Sequence, residues 1–431
     1  MINAPRPVEL LITHAAQLVT CAAPNGCKRG QAMADVGLVE DGAVAVDRGR
    51  IVAVGPTREV ARQFSAGEVI EARGQVVCPG FVDAHTHLVF AGDRVDEFER
   101  RIKGATYMEI MAAGGGILST VRATRQASPA DLVQQALPRL DQMLAQGTTT
   151  AEVKTGYGLD TATELKMYQA IAALQAEHPI DLVPTFLGAH AIPPPFKDDP
   201  DGYVTLVIED MLPALLRTMQ AHPWPGPAGE LLKPFFDVFC EAGVFSLEQT
   251  RRLLTAAKAH HLPLKLHADE FESLGGTALA VELGATSVDH LDVTPPDDLE
   301  RLAKSDVAGV MLPAVNFNLG STHFAPARAF VDAGGVLALA TDINPGSAPC
   351  PSLPFVMALS CRYLNLTPAE ALNAVTINAA YALGWQHTVG SLEAGKQADL
   401  ALIDAPDYRH LAYNFGGNQV AGVIKAGRRV L

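Results

Sequence analysis

A series of short apolar runs, each followed by a helix-forming stretch, restricts this chain to an α/β architecture. The runs are Val76 to Val82, Thr148 to Val153, Asp181 to Phe186, Phe235 to Phe239, Leu264 to Leu266, Ser287 to His290, Val310 to Leu312 and Val336 to Ala340. They are short, and apolar enough to read as strands of a buried parallel sheet. Helices separate them. Ser128 caps one that begins at Pro129 and runs to Gln146, where Gly147 ends it. Others are predicted from about Ala162 to Glu177, from Leu247 to His260 and from Gly275 to Leu283. Repeated β–α units imply a mainly parallel sheet. Eight of them predict a (β/α)8 TIM-like barrel, with a doubly wound sheet as the other arrangement.

The two ends of the chain read differently. Glu9 to Val19 is mostly apolar, and Gly42 to Val46 and Arg50 to Val54 flank Asp47-Arg48-Gly49 as a hairpin. At the other end Asp399 to Ile403 is strand-like, and Val420 to Leu431 is a hairpin turning at Ala426-Gly427. Neither end alone has enough strands for a stable sheet. The two are therefore expected to meet in one small β-sandwich-like domain. This predicts residues 1–75 and 386–431 in the small domain and 76–385 in the barrel.

Composition excludes several classes. With 431 residues and 48% hydrophobic side chains the chain can bury a large core. A formal charge of -14 argues against nucleic acid or an anionic membrane as partner. No apolar run approaches the length of a membrane span, and no signal peptide is evident at the N-terminus. The six scattered cysteines read as reduced thiols of a cytoplasmic protein.

The chemistry is loaded at the C-terminal ends of the apolar runs, where barrel enzymes carry their sites. His85 and His87 are two apart and share a face, and Asp83 is expected to lean the same way. Lys154 and Tyr157 follow the second run, with the glycines around Tyr157 suggesting an exposed loop tip. His190 follows the third, and His267, Asp269 and Glu270 the fifth. His290 closes the sixth, and Asp342 and Asn344 follow the eighth. Three imidazoles and a carboxylate suit one zinc or iron ion, which would acidify a water and polarise a carbonyl. His290 is then the spare histidine to take the water's proton, unless it is a core histidine bonded to Asp289. Arg94 lies in the loop straight after the histidine pair and is preferred over Arg100, Arg101 and Lys103 as an anchor for an anionic substrate.

These residues also carry a resemblance. Pro79-Gly80-Phe81-Val82-Asp83-Ala84-His85-Thr86-His87 resembles the opening motif of the amidohydrolase superfamily, and Gly395-Lys396-Gln397-Ala398-Asp399-Leu400 its late signature. Phe90 to Arg94, Glu152 to Gly158, His267 to Phe271 and Thr341 to Gly346 resemble a narrower branch that opens a cyclic amide in histidine degradation. The resemblance implies His85, His87, His267 and Asp342 as ligands of one divalent or trivalent metal, zinc or iron. It implies His290, Glu270 and Asp342 as catalytic groups, and Arg94, Tyr157, His190, Glu270, Asn344, Gly346 and Ser347 as substrate contacts. The implied reaction is hydrolysis of 4-imidazolone-5-propanoate, an anionic small molecule, to N-formimidoyl-L-glutamate, by a homodimer. Some amidohydrolases bridge two metals with a carbamylated lysine. Lys154 is read instead as an ordinary salt-bridged lysine beside a single metal. The rival readings are another amidohydrolase, such as an aromatic deaminase, and a non-enzymatic interaction protein on the same fold.

Overall fold

The computed structural model describes residues 4–105, 109, 114–226, 229 and 231–431. Its centre is a parallel eight-stranded sheet rolled into a barrel: β1 (Phe81–Asp83), β2 (Thr148–Lys154), β3 (Asp181–Ala189), β4 (Phe235–Cys240), β5 (Lys265–Ala268), β6 (Ser287–His290), β7 (Ala308–Met311) and β8 (Leu337–Leu339). Each strand pairs in parallel with the next. The predicted helices lie between them with ends shifted by about a residue. Pro129–Ala145 starts at a reciprocal cap between Ser128 and Asp131. Thr161–Glu177 is capped by Asp160, and Leu247–Ala259 by Ser246 with Gln249.

The barrel closes just beyond the ends of β1 and β8. Thr86 bridges Ile343 in parallel register. Asp342 N donates to His85 O at 3.0 Å, and His87 N donates to Ile343 O at 2.9 Å. Asp83 does not join the histidine face as its spacing suggested. Its two carboxylate oxygens accept from Thr341 N at 3.0 Å and Thr341 Oγ1 at 2.6 Å, which locks the same seam. The hydrogen bonds that close the barrel thus fix the segments that carry His85, His87 and Asp342.

The apolar run read as the first barrel strand serves two sheets. Val76–Pro79 belongs to the terminal sheet, in parallel with Gln17 and Leu18 and antiparallel to Leu400–Ile403. After Gly80 the chain crosses into the barrel as β1. The terminal sheet has eight strands from both ends of the chain. Arg48 and Gly49 turn the N-terminal hairpin, and Ala426 and Gly427 the C-terminal one, all with positive φ as a two-residue turn of this kind requires. All six cysteines are free, and among the described residues no helix is long and apolar enough to cross a membrane.

Candidate metal centre and active site

Four donor atoms meet at the barrel mouth. His85 Nε2 lies 3.3 Å from His87 Nε2, and His87 Nε2 lies 3.4 Å from His267 Nε2. Asp342 Oδ1 is 3.5 Å from His85 Nε2 and 3.4 Å from His87 Nε2. All four side chains are buried, and Asp342 Oδ1 has no hydrogen-bond partner. Metal–nitrogen bonds of about 2.0–2.1 Å in a tetrahedral site put donors roughly 3.3–3.4 Å apart. The four measured donor separations, 3.3–3.5 Å, lie close to that spacing.

The tautomers make the case stronger. His85 Nδ1 lies 2.7 Å from Asp289 Oδ2, and His267 Nδ1 lies 2.9 Å from Asp237 Oδ2. A carboxylate only accepts, so His85 gives its Nδ1 proton to Asp289 and turns an Nε2 lone pair towards the cluster, while His267 Nδ1 faces Asp237 in a close electrostatic contact without a directed hydrogen bond. Lone pairs and a bare carboxylate oxygen converging without water repel unless a cation sits among them. Burial pushes the Asp342 carboxyl well above its ordinary range, and Asp83 and Asp289 add to that against the pull of Asn344 and Lys154. Such a group ionises only beside a cation. His85, His87 and His290 are held well below the ordinary histidine range, chiefly by burial and then by neighbouring cationic groups. Neutral imidazoles are what a metal binds.

His290 and Glu270 stand beside this shell. His290 does not bond Asp289, which is taken by His85. Its nearest carboxylates are Glu270 Oε2, 3.7 Å from Nε2, and Asp292 Oδ2, 4.0 Å from Nδ1. Together with His85 and Asp342 it also forms a tight donor group, so it touches the centre from a second side. Glu270 is not a solvated loop carboxylate. Burial pushes it well above the ordinary range, reinforced by Asp342, Asp292 and Glu241. Burial also raises Asp292, to about 8. The backbone is strained here: Asp269, His290, Leu291 and Asp342 all have positive φ. Asp269 is held by Thr277 Oγ1 and Thr294 Oγ1, which donate to its Oδ2 at 2.6 and 2.9 Å.

The expected substrate contacts divide into two sets. Arg94, Tyr157 and His190 face the centre. His190 stacks on His87 with ring centroids 4.9 Å apart, and its Nδ1 donates to Gly156 O at 3.0 Å. Gly156 has φ +107°, and a Cβ there would come within 2.8 Å of His190 Nδ1. Tyr157 is not an exposed tip but is buried, its ring 5.8 Å from that of His87. Glu164 holds its loop, accepting from Gly156 N, Gly158 N and Leu159 N. Burial raises the Tyr157 phenol far above its usual range, so it remains a neutral donor. Arg94 Nε donates to Thr120 Oγ1 at 3.0 Å, and its guanidinium packs against Gly346. Arg101 instead donates to Gly346 O, and Lys103 pairs with Glu99 at the surface.

The second set is turned inward. Asn344 Oδ1 accepts from Gly346 N and Ser347 N, while its Nδ2 donates to Asp342 O and Ser347 Oγ. Asn344, Gly346 and Ser347 thereby shape the loop against which Arg94 rests.

Below the shell lies a charged floor that sequence reasoning did not anticipate. Lys154 Nζ donates to Glu152 Oε1 at 2.6 Å and to Asp237 Oδ2 at 2.8 Å, and stands 3.6 Å from Asp289 Oδ2. Burial opposes its charge, but Asp237, Glu152 and Asp289 outweigh that and hold the ammonium above its ordinary range. Lys154 is thus a salt-bridged lysine, as read from the sequence. Lys265 Nζ donates to Ser287 Oγ at 2.9 Å and lies 3.8 Å from Asp289 Oδ2.

Residues 240–430 match the amidohydrolase family model, and residues 42–64 match an imidazolonepropionase-like composite domain of bacteria. An imidazolonepropionase of Chloroflexus aggregans is 57% identical, over 99% of each chain. That of Herpetosiphon aurantiacus is 55% identical over 98% of this chain and 97% of its own. That of Geobacillus kaustophilus is 48% identical over 98% of both. Among solved structures, an adenosine deaminase from Xanthomonas campestris with bound zinc superposes with a TM-score of 0.71 at 22% identity, covering 99% of this chain and 94% of that one. A zinc complex of an Arthrobacter aurescens atrazine chlorohydrolase gives 0.68 at 19%, covering 98% and 95%. At that identity the likeness concerns the fold.

Proposed function

This chain belongs to the imidazolonepropionase family of amidohydrolases, and we propose that it hydrolyses the ring amide of 4-imidazolone-5-propanoate to give N-formimidoyl-L-glutamate. The observation that carries the reading is the buried convergence of three imidazole Nε2 atoms and one carboxylate oxygen, with neighbouring donors 3.3–3.5 Å apart.

His85, His87, His267 and Asp342 would hold one metal, zinc or iron. Bound there, it would supply a Lewis acid that polarises the ring carbonyl and lowers the pKa of water. The remaining work falls to the side chains. His290, neutral at pH 7 because it is buried, takes the proton of the attacking water, with Asp342 as a second acceptor. Glu270, held as the acid, hydrogen-bonds a ring nitrogen and delivers a proton to it as the C–N bond breaks. Arg94 receives the propanoate carboxylate, and Tyr157 adds a neutral hydroxyl. His190 has committed Nδ1–H to Gly156 and so offers Nε2 as an acceptor to the ring. Asn344 and Ser347 hold the loop in shape.

The test is turnover of 4-imidazolone-5-propanoate by metal-analysed protein, followed by loss of the imidazolone chromophore and identification of the product. N-formimidoyl-L-glutamate without ammonia is expected. Ammonia release would favour a deaminase, and no turnover with metal bound would refute the assignment. The same reading takes the enzyme as a cytoplasmic homodimer. Six free thiols support a reducing compartment, and sedimentation reads the assembly.

A further inference from the structure

We propose that Lys154 is the positioning residue of the metal centre: a single ammonium beneath the site anchors the two carboxylate oxygens that orient His267 and His85. The inference rests on the metal-centre reading above and extends it to the layer below.

The argument is one of shared atoms. Asp237 Oδ2 is both the acceptor of Lys154 Nζ, at 2.8 Å, and the atom 2.9 Å from His267 Nδ1. Asp289 Oδ2 is both 3.6 Å from Lys154 Nζ and 2.7 Å from His85 Nδ1. The ammonium therefore ties down the oxygens that face Nδ1 of two ligand histidines. Outer partners of metal-bound histidines fix ring orientation in this way, and their loss typically costs about 10–100-fold in metal affinity. Here two such partners share one cation, and Lys154, Glu152, Asp237 and Asp289 are all fully buried.

The two relays are not equally dependent on it. Asp289 keeps other support, since Ser287 Oγ donates to its Oδ1 at 2.6 Å and Lys265 Nζ lies 3.8 Å from its Oδ2. Among the described residues Asp237 has only its own neighbour besides: Val238 N donates to Oδ1 at 2.8 Å. Removal of Lys154 should thus release His267 before His85.

A plain structural role, neutralising Glu152, is the competing account, and a double variant separates the two. The wild-type floor sets three carboxylates (Glu152, Asp237, Asp289) against two ammoniums (Lys154, Lys265). Lys154→Met leaves three against one. Glu152→Gln with Lys154→Met leaves two against one, the wild-type excess, and a glutamine still accepts from Thr86 N as Glu152 Oε2 does. The experiment measures zinc affinity by chelator competition and thermal unfolding of the metal-free protein for the wild type and both variants. Expected is a stability loss in Lys154→Met that the double variant recovers, with zinc affinity at least tenfold weaker in both. Zinc affinity that recovers together with stability would overturn the proposal. So would affinity within twofold of wild type in Lys154→Met. In an Asp237→Asn background Lys154→Met should add little further loss of zinc affinity, and fully additive losses would also count against the relay. Wild-type turnover of 4-imidazolone-5-propanoate is measured alongside. Its absence with the zinc pattern intact would remove the assigned reaction and leave the relay standing.

Discussion

Replacing Arg94 by methionine tests where substrate specificity comes from. The guanidinium is half-buried, tethered to Thr120 through Nε and packed on Gly346. Breaking a buried, hydrogen-bonded charge pair costs about 2–5 kcal/mol when one partner is left unpaired. Partial exposure of Arg94 places the expectation at the low end, about 2–3 kcal/mol. At about 1.4 kcal/mol per decade that is roughly a 30- to 150-fold fall in kcat/KM. It should fall mainly on KM, because the carboxylate does not change during ring opening. Gly346→Ala offers a second approach that leaves the arginine present. Its Cβ would come 2.2 Å from Arg94 Nη1 and 2.9 Å from Cζ, so the guanidinium must move. The assay compares steady-state kcat/KM on the propanoate and on an analogue whose side chain lacks the carboxylate. Arg94→Met and Gly346→Ala should both impair the propanoate and spare the analogue. Equal losses on both substrates would refute Arg94 as the anchor and direct attention to Arg101.

Three further outcomes follow. His267→Ala should lose metal and activity together while the fold persists, as elemental analysis and circular dichroism would record; two metals per wild-type chain would refute the single-centre reading. His290→Ala should retain metal yet lower kcat by roughly two to four decades, the usual scale for a general base; metal loss would move His290 into the ligand set. In the metal-free protein the buried histidines should oppose folding in acid. His85, His87, His190 and His290 have folded pKa values depressed below an unfolded value near 6.5, so the unfolded chain binds more protons below that pH. Each histidine therefore withdraws about 1.4 kcal/mol of stability per pH unit below 6.5, while Asp292, Glu270 and Asp342, whose folded pKa values are raised, hold protons in the folded chain and act in the opposite direction. His190→Gln should make the shift in urea midpoint between pH 7.5 and 5.5 less destabilising than in the wild type, and an unchanged shift would contradict this.

Much of the architecture was legible because it rests on local signals. Helix caps such as Ser128 and Ser246 act within a few residues, and Arg48-Gly49 and Ala426-Gly427 specify their hairpin turns alone. The donor set was legible because strand ends in a barrel converge, so His85, His87, His267 and Asp342 meet wherever the strands do. Errors arose where a segment's partner decides its role. Val76–Pro79 and Phe81–Asp83 look like one strand, and only pairing with Leu400–Ile403 divides them. Asp83 has the spacing of a ligand, but Thr341, 258 residues away, claims it. The glycines around Tyr157 suggested exposure, whereas Glu164 draws their amides inward.

The charged floor escaped notice for a different reason. In most soluble proteins a lone charge within an apolar strand is taken to face water. A barrel of β–α units inverts that expectation, because helices cover the outside of every strand and leave only the axis for polar groups. Phe236-Asp237-Val238 and Leu264-Lys265-Leu266 each place a charge between apolar neighbours, and Asp289 sits between Val288 and His290. Glu152 and Lys154 are two apart and share a face. Once eight such strands are inferred, these five charges have nowhere to go but the interior, where they must pair with one another. Two of them end against ligand histidines, which is why the layer beneath the metal is as much part of the site as the layer that touches it.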